Sequence, residues 1–182
     1  MVHKKIFFLF VIIFPSILFG QFAIHKHIAG PTLGFSFLDN AVQLGLNHEY
    51  GISLDELGLN ETGKLGIGGV LRYWSYSENF PNVNWSYTNV LLGFQSNYHF
   101  YMANEQIDPW AGLILAYNVG SVKNEIKTIG YLVKDKSHGG IWLGLNAGVR
   151  YWFSNNTALN IRIGFGTSNY GALDIGFDYK FQ

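Results

Sequence analysis

Seven charged residues, Glu49, Arg72, Arg150, Arg162, Asp174, Asp178 and Lys180, fall on one parity of a chain that alternates oily and small residues. Leu173-Asp174-Ile175 and Ile161-Arg162-Ile163 show the setting. A strand gathers such side chains on one face, and charges taken out of water must pair. The ordinary use of such a set is an ion-pair network that fills and stiffens an interior; the rarer use is a path for protons or ions. His99 shares the parity. Other constellations are weaker. Ser137-His138 is the one adjacent Ser/His pair, and Ser168-Asn169 lacks a histidine, so neither supplies a catalytic triad. His25-x-His27 could ligate a metal, but two histidines in a polar leader are expected to be solvated. Lys123, Lys127, Lys134 and Lys136 outnumber Glu125 and Asp135 and could meet phosphate groups. No catalytic residue, metal ligand or cofactor site is expected.

The elements that carry these residues are read from period-2 alternation. The last stretch is the clearest: Leu173, Ile175, Phe177, Tyr179 and Phe181 oppose Ala172, Asp174, Gly176, Asp178 and Lys180. Seven earlier segments repeat the pattern: about Pro31–Leu38, onward to Ile52, Lys64–Tyr76, Tyr87–Phe100, Pro109–Val119, Ile141–Phe153 and Thr157–Gly166. Asp39-Asn40 and Ser154-Asn155-Asn156 read as tight turns. Ser53–Gly63, Ser77–Ser86, Met102–Asp108, Gly120–Gly140 and Thr167–Gly171 read as longer connections, with Ile129–Val133 extending a hairpin.

Composition narrows the class. Charged residues are 13% of the chain, about half the usual share. Aromatics reach 17%, and 22 residues are glycine. A net charge of zero makes no electrostatic case for nucleic acid. Without cysteine there is no disulfide framework and no thiolate site. Met1–Lys5 is basic and Ile6–Leu18 is apolar, too short to span a bilayer comfortably, so residues 1–20 read as an export signal and 21–182 as one domain. Gln21–Ile28 reads as a solvated leader.

The glycines decide which face is inside. Gly34, Gly45, Gly66, Gly68, Gly93, Gly112, Gly144, Gly148, Gly164 and Gly176 share the parity of the charges. Glycine weakens a solvated strand without gain, whereas in a narrow barrel it relieves crowding. The Leu/Ile/Phe face therefore meets lipid, which argues against a soluble, lipocalin-like carrier. Tyr50, Tyr98, Phe100, Tyr151, Phe153, Tyr179 and Phe181 are expected in one interfacial girdle, and Tyr73, Trp85, Tyr87, Tyr117 and Trp142 in the other. The reading is an all-β, eight-stranded antiparallel up-and-down transmembrane β-barrel.

With these features the chain resembles the OmpA/OmpX-type eight-stranded outer-membrane barrels. Asp174-x-Gly176-x-x-Tyr179-x-Phe181 is similar to the assembly signal that such barrels present to the barrel-assembly machinery, with Gln182 added after the aromatic. The last three segments and the Ser154-Asn155-Asn156 turn also resemble small Bacteroidetes-type barrels. The resemblance implies a monomer integral to the outer membrane of a Gram-negative bacterium, exported through the periplasm and surrounded by outer-membrane lipid and lipopolysaccharide. Such families hold passive anchors, adhesion proteins and a few lipid-modifying enzymes. The fold does not choose among them.

Overall fold

The computed structural model describes residues 22–37, 40–59, 63–127, 138–167 and 170–181. The signal segment 1–20, Ile129–Val133, Lys134, Asp135, Lys136, Ser137, Ser168-Asn169 and Gln182 lie outside the described residues, as does Asp39 of the first turn. The strands are β1 (His27–Ser36), β2 (Val42–Ser53), β3 (Lys64–Asn79), β4 (Val83–His99), β5 (Ile107–Ile126), β6 (Gly139–Trp152), β7 (Thr157–Gly166) and β8 (Gly171–Phe181). Each pairs antiparallel with its sequence neighbours, and β1 pairs with β8 to close the barrel. Asn40 takes a left-handed conformation (φ 49°) at the β1–β2 turn, one that asparagine tolerates.

Alternation sets the two faces as expected. Outside, Leu33, Leu44, Leu92, Phe94, Leu115, Leu145, Ile161 and Ile175 are all exposed. Inside, Gln43, Asn47, Glu49, Arg72, Asn97, Arg150, Arg162, Asp174 and Asp178 are all buried. A lipocalin-like carrier would place these two sets the other way round. An exterior of this kind suits hydrocarbon, and a closed barrel leaves no unpaired sheet edge within it.

Three expectations need correction. Ser77–Ser86 is not a loop: β3 runs to Asn79 and β4 starts at Val83, paired through Asn79 and Asn84. Likewise β5 runs past Val119 to Ile126, against β4. Among the described residues β6 pairs with β5 as far as Val119, and beyond it the described ends of β3, β4 and β5 form a three-stranded flap. The termini lie at the opposite end, where His27 faces Phe181.

The second correction concerns aromatics. Tyr73 and Tyr117 face outward, but Trp85, Tyr87 and Trp142 are buried on the inward parity. All five tryptophans of the chain, Trp74, Trp85, Trp110, Trp142 and Trp152, are buried. Phe37 and Phe165, whose ring centroids are 5.6 Å apart, take the outward places at the flap end of the belt.

The third is the leader. His25 has φ 58°, and its N–H donates to the Gly51 carbonyl (2.8 Å) while the Gly51 N–H donates to the Lys26 carbonyl (3.1 Å). This turn sends Phe22 back under the barrel mouth, where only 1% of it remains exposed. A side chain at Gly51 would collide with Ala23 and Phe22, so glycine there makes room for the fold-back.

Candidate functional site

The lumen is built in layers. At the terminal end Arg150 is the hub. Its Nη2 lies 2.9 Å from Glu49 Oε2, its Nε 2.6 Å from Asp178 Oδ2 and its Nη1 3.6 Å from Asp108 Oδ2. Asn160 Nδ2 donates to Asp178 (3.1 Å) and Gln95 Nε2 to Glu49 (3.3 Å), and the Asn97 amide also donates to Glu49. His99 bridges two carboxylates, with Nδ1 2.8 Å from Asp108 Oδ1 and Nε2 3.4 Å from Glu49 Oε2. Four strands beyond β4 and β6 thus aim at one cluster, because an inward parity on a narrow barrel leaves long side chains nowhere else to go.

The next layer toward the flap centres on Asp174. Arg162 Nη2 approaches Asp174 Oδ2 to 2.6 Å, and Arg72 Nε lies at 3.4 Å. Arg162 and Asp174 are direct cross-strand partners. Gln43 Nε2 donates to Asp174 (2.8 Å), and both guanidinium groups donate to Asn47 Oδ1, at 2.5 and 2.8 Å. Gly45 is the cross-strand partner of Arg72, and a side chain there would overlap the guanidinium.

Aromatics close both layers. Below, the Phe22 ring stacks on His99 (3.6 Å between centroids, 12° between planes), and Lys64 Nζ donates to the Phe22 carbonyl (2.8 Å). Above, Trp74 and Tyr170 stack at 4.3 Å, Trp142 meets Tyr170 edge-on at 5.7 Å, and Val70, Leu91 and Ile114 complete the cap. Gly144 and Gly166 leave the space that the Trp142 ring fills. Burial, and then the charge of Asp174, pushes the Tyr170 phenol well above its usual range, so it remains a neutral O–H. The void between cap and charges is about 20 Å³, room for a single water.

Six of the seven expected lumen charges meet in these two layers. Lys180 does not: it is half-buried at the terminal rim, its ammonium 4.8 Å from the Trp152 ring centre. Asp108 and His99 are the residues that sequence reasoning left out or only touched. With them the two layers hold, among the described residues, three guanidinium groups, four carboxylates and one imidazole. His99 shares a hydrogen bond with Asp108 through Nδ1, and its Nε2 approaches Glu49 without one.

The four residues expected to form an assembly signal occupy both faces of β8. Asp174 and Gly176 point inward, while Tyr179 and Phe181 point outward and are exposed. His25 and His27 diverge: His25 pairs with Glu56 (3.0 Å), and His27 Nδ1 lies 3.0 Å from His48 Nε2. No group of three or more potential ligands able to hold a metal occurs among the described residues. His138 Nε2 meets Asn89 Oδ1 at 2.5 Å and its ring lies 5.1 Å from that of Tyr87.

On the flap, the inward parity is aromatic and the outward parity is polar. Tyr76 and Tyr87 stack at 4.6 Å beside buried Val83 and Trp85, and Tyr87 donates to Glu78 Oε2 (2.9 Å). On the other face three cross-strand rows succeed one another: Ser75–Thr88–Ser121, Ser77–Ser86–Lys123 and Asn79–Asn84–Glu125.

No protein-family model matches the chain, and no curated protein matches it in sequence. Solved structures do match in shape. The outer membrane protein OprG from Pseudomonas aeruginosa aligns over 90% of this chain and 98% of its own, at 15% identity and a TM-score of 0.57. The attachment invasion locus protein Ail of Yersinia pestis aligns over 86% and 97%, at 14% identity and a TM-score of 0.55. The N-terminal β-barrel domain of Pseudomonas aeruginosa OprF aligns over 87% and 98%, at 16% identity and a TM-score of 0.52. At these identities the likeness is one of fold, and the fold is the eight-stranded, up-and-down transmembrane β-barrel of small outer-membrane proteins.

Proposed function

We propose that this protein is a non-enzymatic, integral outer-membrane barrel whose lumen is closed and whose flap end faces the cell exterior in a structural or surface-binding role. The observation that carries the reading is the pairing of an apolar exterior with a charged, aromatic-capped interior. The exterior suits a bilayer. The interior is filled by side chains that hold one another, which leaves no lane for a solute. The terminal end, carrying Tyr179 and Phe181, faces the periplasm, and the likeness of the Ser154-Asn155-Asn156 turn to small Bacteroidetes-type barrels is the finer kinship we favour.

Insertion rests on β8. Its outward aromatics sit where the barrel-assembly machinery would pair with the strand and where rings favour the interface. Changing Tyr179 and Phe181 together to Ser is expected to leave the protein in the periplasm. Cell fractionation checks this, and wild-type amounts of the double variant in the outer membrane would contradict it.

A further inference from the structure

The outward face of the flap lies directly above the lipid-facing wall, on the same face of the same strands. The last apolar rows are Leu71–Leu92–Tyr117 and Tyr73–Val90–Val119. The next two rows are Ser75–Thr88–Ser121 and Ser77–Ser86–Lys123, each about 7 Å further along the strands. The change from hydrocarbon chemistry to hydroxyl chemistry is complete within one row. Whatever lipid lays its acyl chains on the lower rows must hold its headgroup against the upper ones. We propose that this hydroxyl face is a docking surface for the phosphorylated sugar headgroup of an outer-leaflet glycolipid.

The chemistry of the rows suits that occupant. Ser77 Oγ and Ser86 Oγ lie 3.3 Å apart and Lys123 is the cross-strand neighbour of Ser86, so two hydroxyls and an exposed ammonium stand in line. One hydroxyl donates to the other, and the second hydroxyl proton and the ammonium remain for a phosphate. Ser75 Oγ donates to the Tyr87 carbonyl (2.8 Å), which orients its lone pairs outward for a sugar hydroxyl. Glu125 stands one row beyond Lys123 on the same strand and face, and its charge confines a phosphate to the Lys123 row. The face is sheet rather than loop, so little ordering cost falls on binding.

This inference rests on the proposed membrane orientation. The test uses the full barrel, refolded into phosphatidylcholine vesicles with or without lipid A. Heat-dependent gel mobility reports folding, and mass analysis reports lipid A retained after extraction into mild detergent. Wild type is expected to retain lipid A, and the Ser77→Val/Ser86→Val/Lys123→Leu variant roughly tenfold less, the worth of about one charge-assisted contact. Dephosphorylated lipid A is expected to be retained as poorly by the wild type, and inorganic phosphate is expected not to compete. If the triple variant does not fold, Lys123→Glu alone serves, because it lies on an exposed face. Equal retention by wild type and variant would overturn the docking surface while leaving the barrel reading intact. A wild type that enters neither kind of vesicle would instead overturn the barrel reading itself.

Discussion

The two ends of the lumen are filled by opposite chemistries on the same eight strands. The terminal half is ionic: Arg150 serves Glu49, Asp178 and Asp108, with His99 between two of them. The flap half is aromatic: Trp74, Trp142 and Tyr170 stack above Arg72, Arg162 and Asp174. The difference teaches what each material is for. Charges give a small barrel a unique internal arrangement but are stable there only when every partner is present. Aromatics are indifferent to partners and exclude water, so they make the seal. Phe22, folded back from the leader, joins Ile28, Trp152 and Ala158 of the strands in sealing the ionic end.

Removing the ionic hub should do the most damage. Arg150→Met takes the shared guanidinium away from Glu49, Asp108 and Asp178, and the expected loss is roughly 3–5 kcal/mol. Arg72→Met should cost less, because Arg162 still holds Asp174. Urea unfolding in lipid vesicles measures both. Equal losses for the two arginines would break the hub assignment.

Trp142→Ala should come next, at about 3 kcal/mol, through a cavity beside Gly144 and Gly166 that the cap cannot refill. The loss is one of packing, since the change removes no charge. Phe22→Ala should cost less still, because Phe22 lies on the turn before β1 and carries no pair of the closed sheet. Its signature is access: His99, now 2% exposed, should react with an imidazole-modifying reagent in the variant and resist it in the wild type. Equal protection would mean that Phe22 is not the seal.

Much of this was legible in the residues, because a period of two reports facing directly. Arg162 and Asp174 share the inward parity of successive strands, and the pairing of β7 with β8 sets them opposite each other. The misses have physical causes. Asp108 was assigned to a turn because Pro109 looks like a strand start, yet β5 begins two residues earlier, at Ile107. Trp142 shares its parity with Gly144, but interfacial preference for tryptophan argued the other way, and lumen volume won. The leader looked solvated because His25-Lys26-His27 is polar, and only the turn at His25 reveals where Phe22 goes. The flap was hidden because Ser, Asn and Pro mark loops as readily as a polar sheet face.

The smallest effect belongs to the flap. Burial lowers the His138 pKa below its ordinary value, opposed in part by Glu78, so the folded chain holds this proton less tightly than the unfolded one. Its contribution is complete above the ordinary value of about 6.5 and is lost as pH falls through the lower folded value. Charging the ring on acidification should therefore weaken its burial beside Tyr87 while the barrel stays folded, since Nε2 donates to Asn89 Oδ1 in either form. The near-UV circular dichroism of the flap tyrosines should fall in the wild type and not in His138→Gln. A pH-independent signal in the wild type would remove His138 from that role.

The central claim is that charges and aromatics together leave no continuous water path through the barrel. Purified protein in planar bilayers tests it most directly. The wild type is expected to show no steady single-channel current, and the Phe22→Ala/Trp142→Ala double variant to show more frequent transient openings than either single change. A stable, reproducible current from the wild type would contradict the closed lumen and place transport ahead of a structural or binding role.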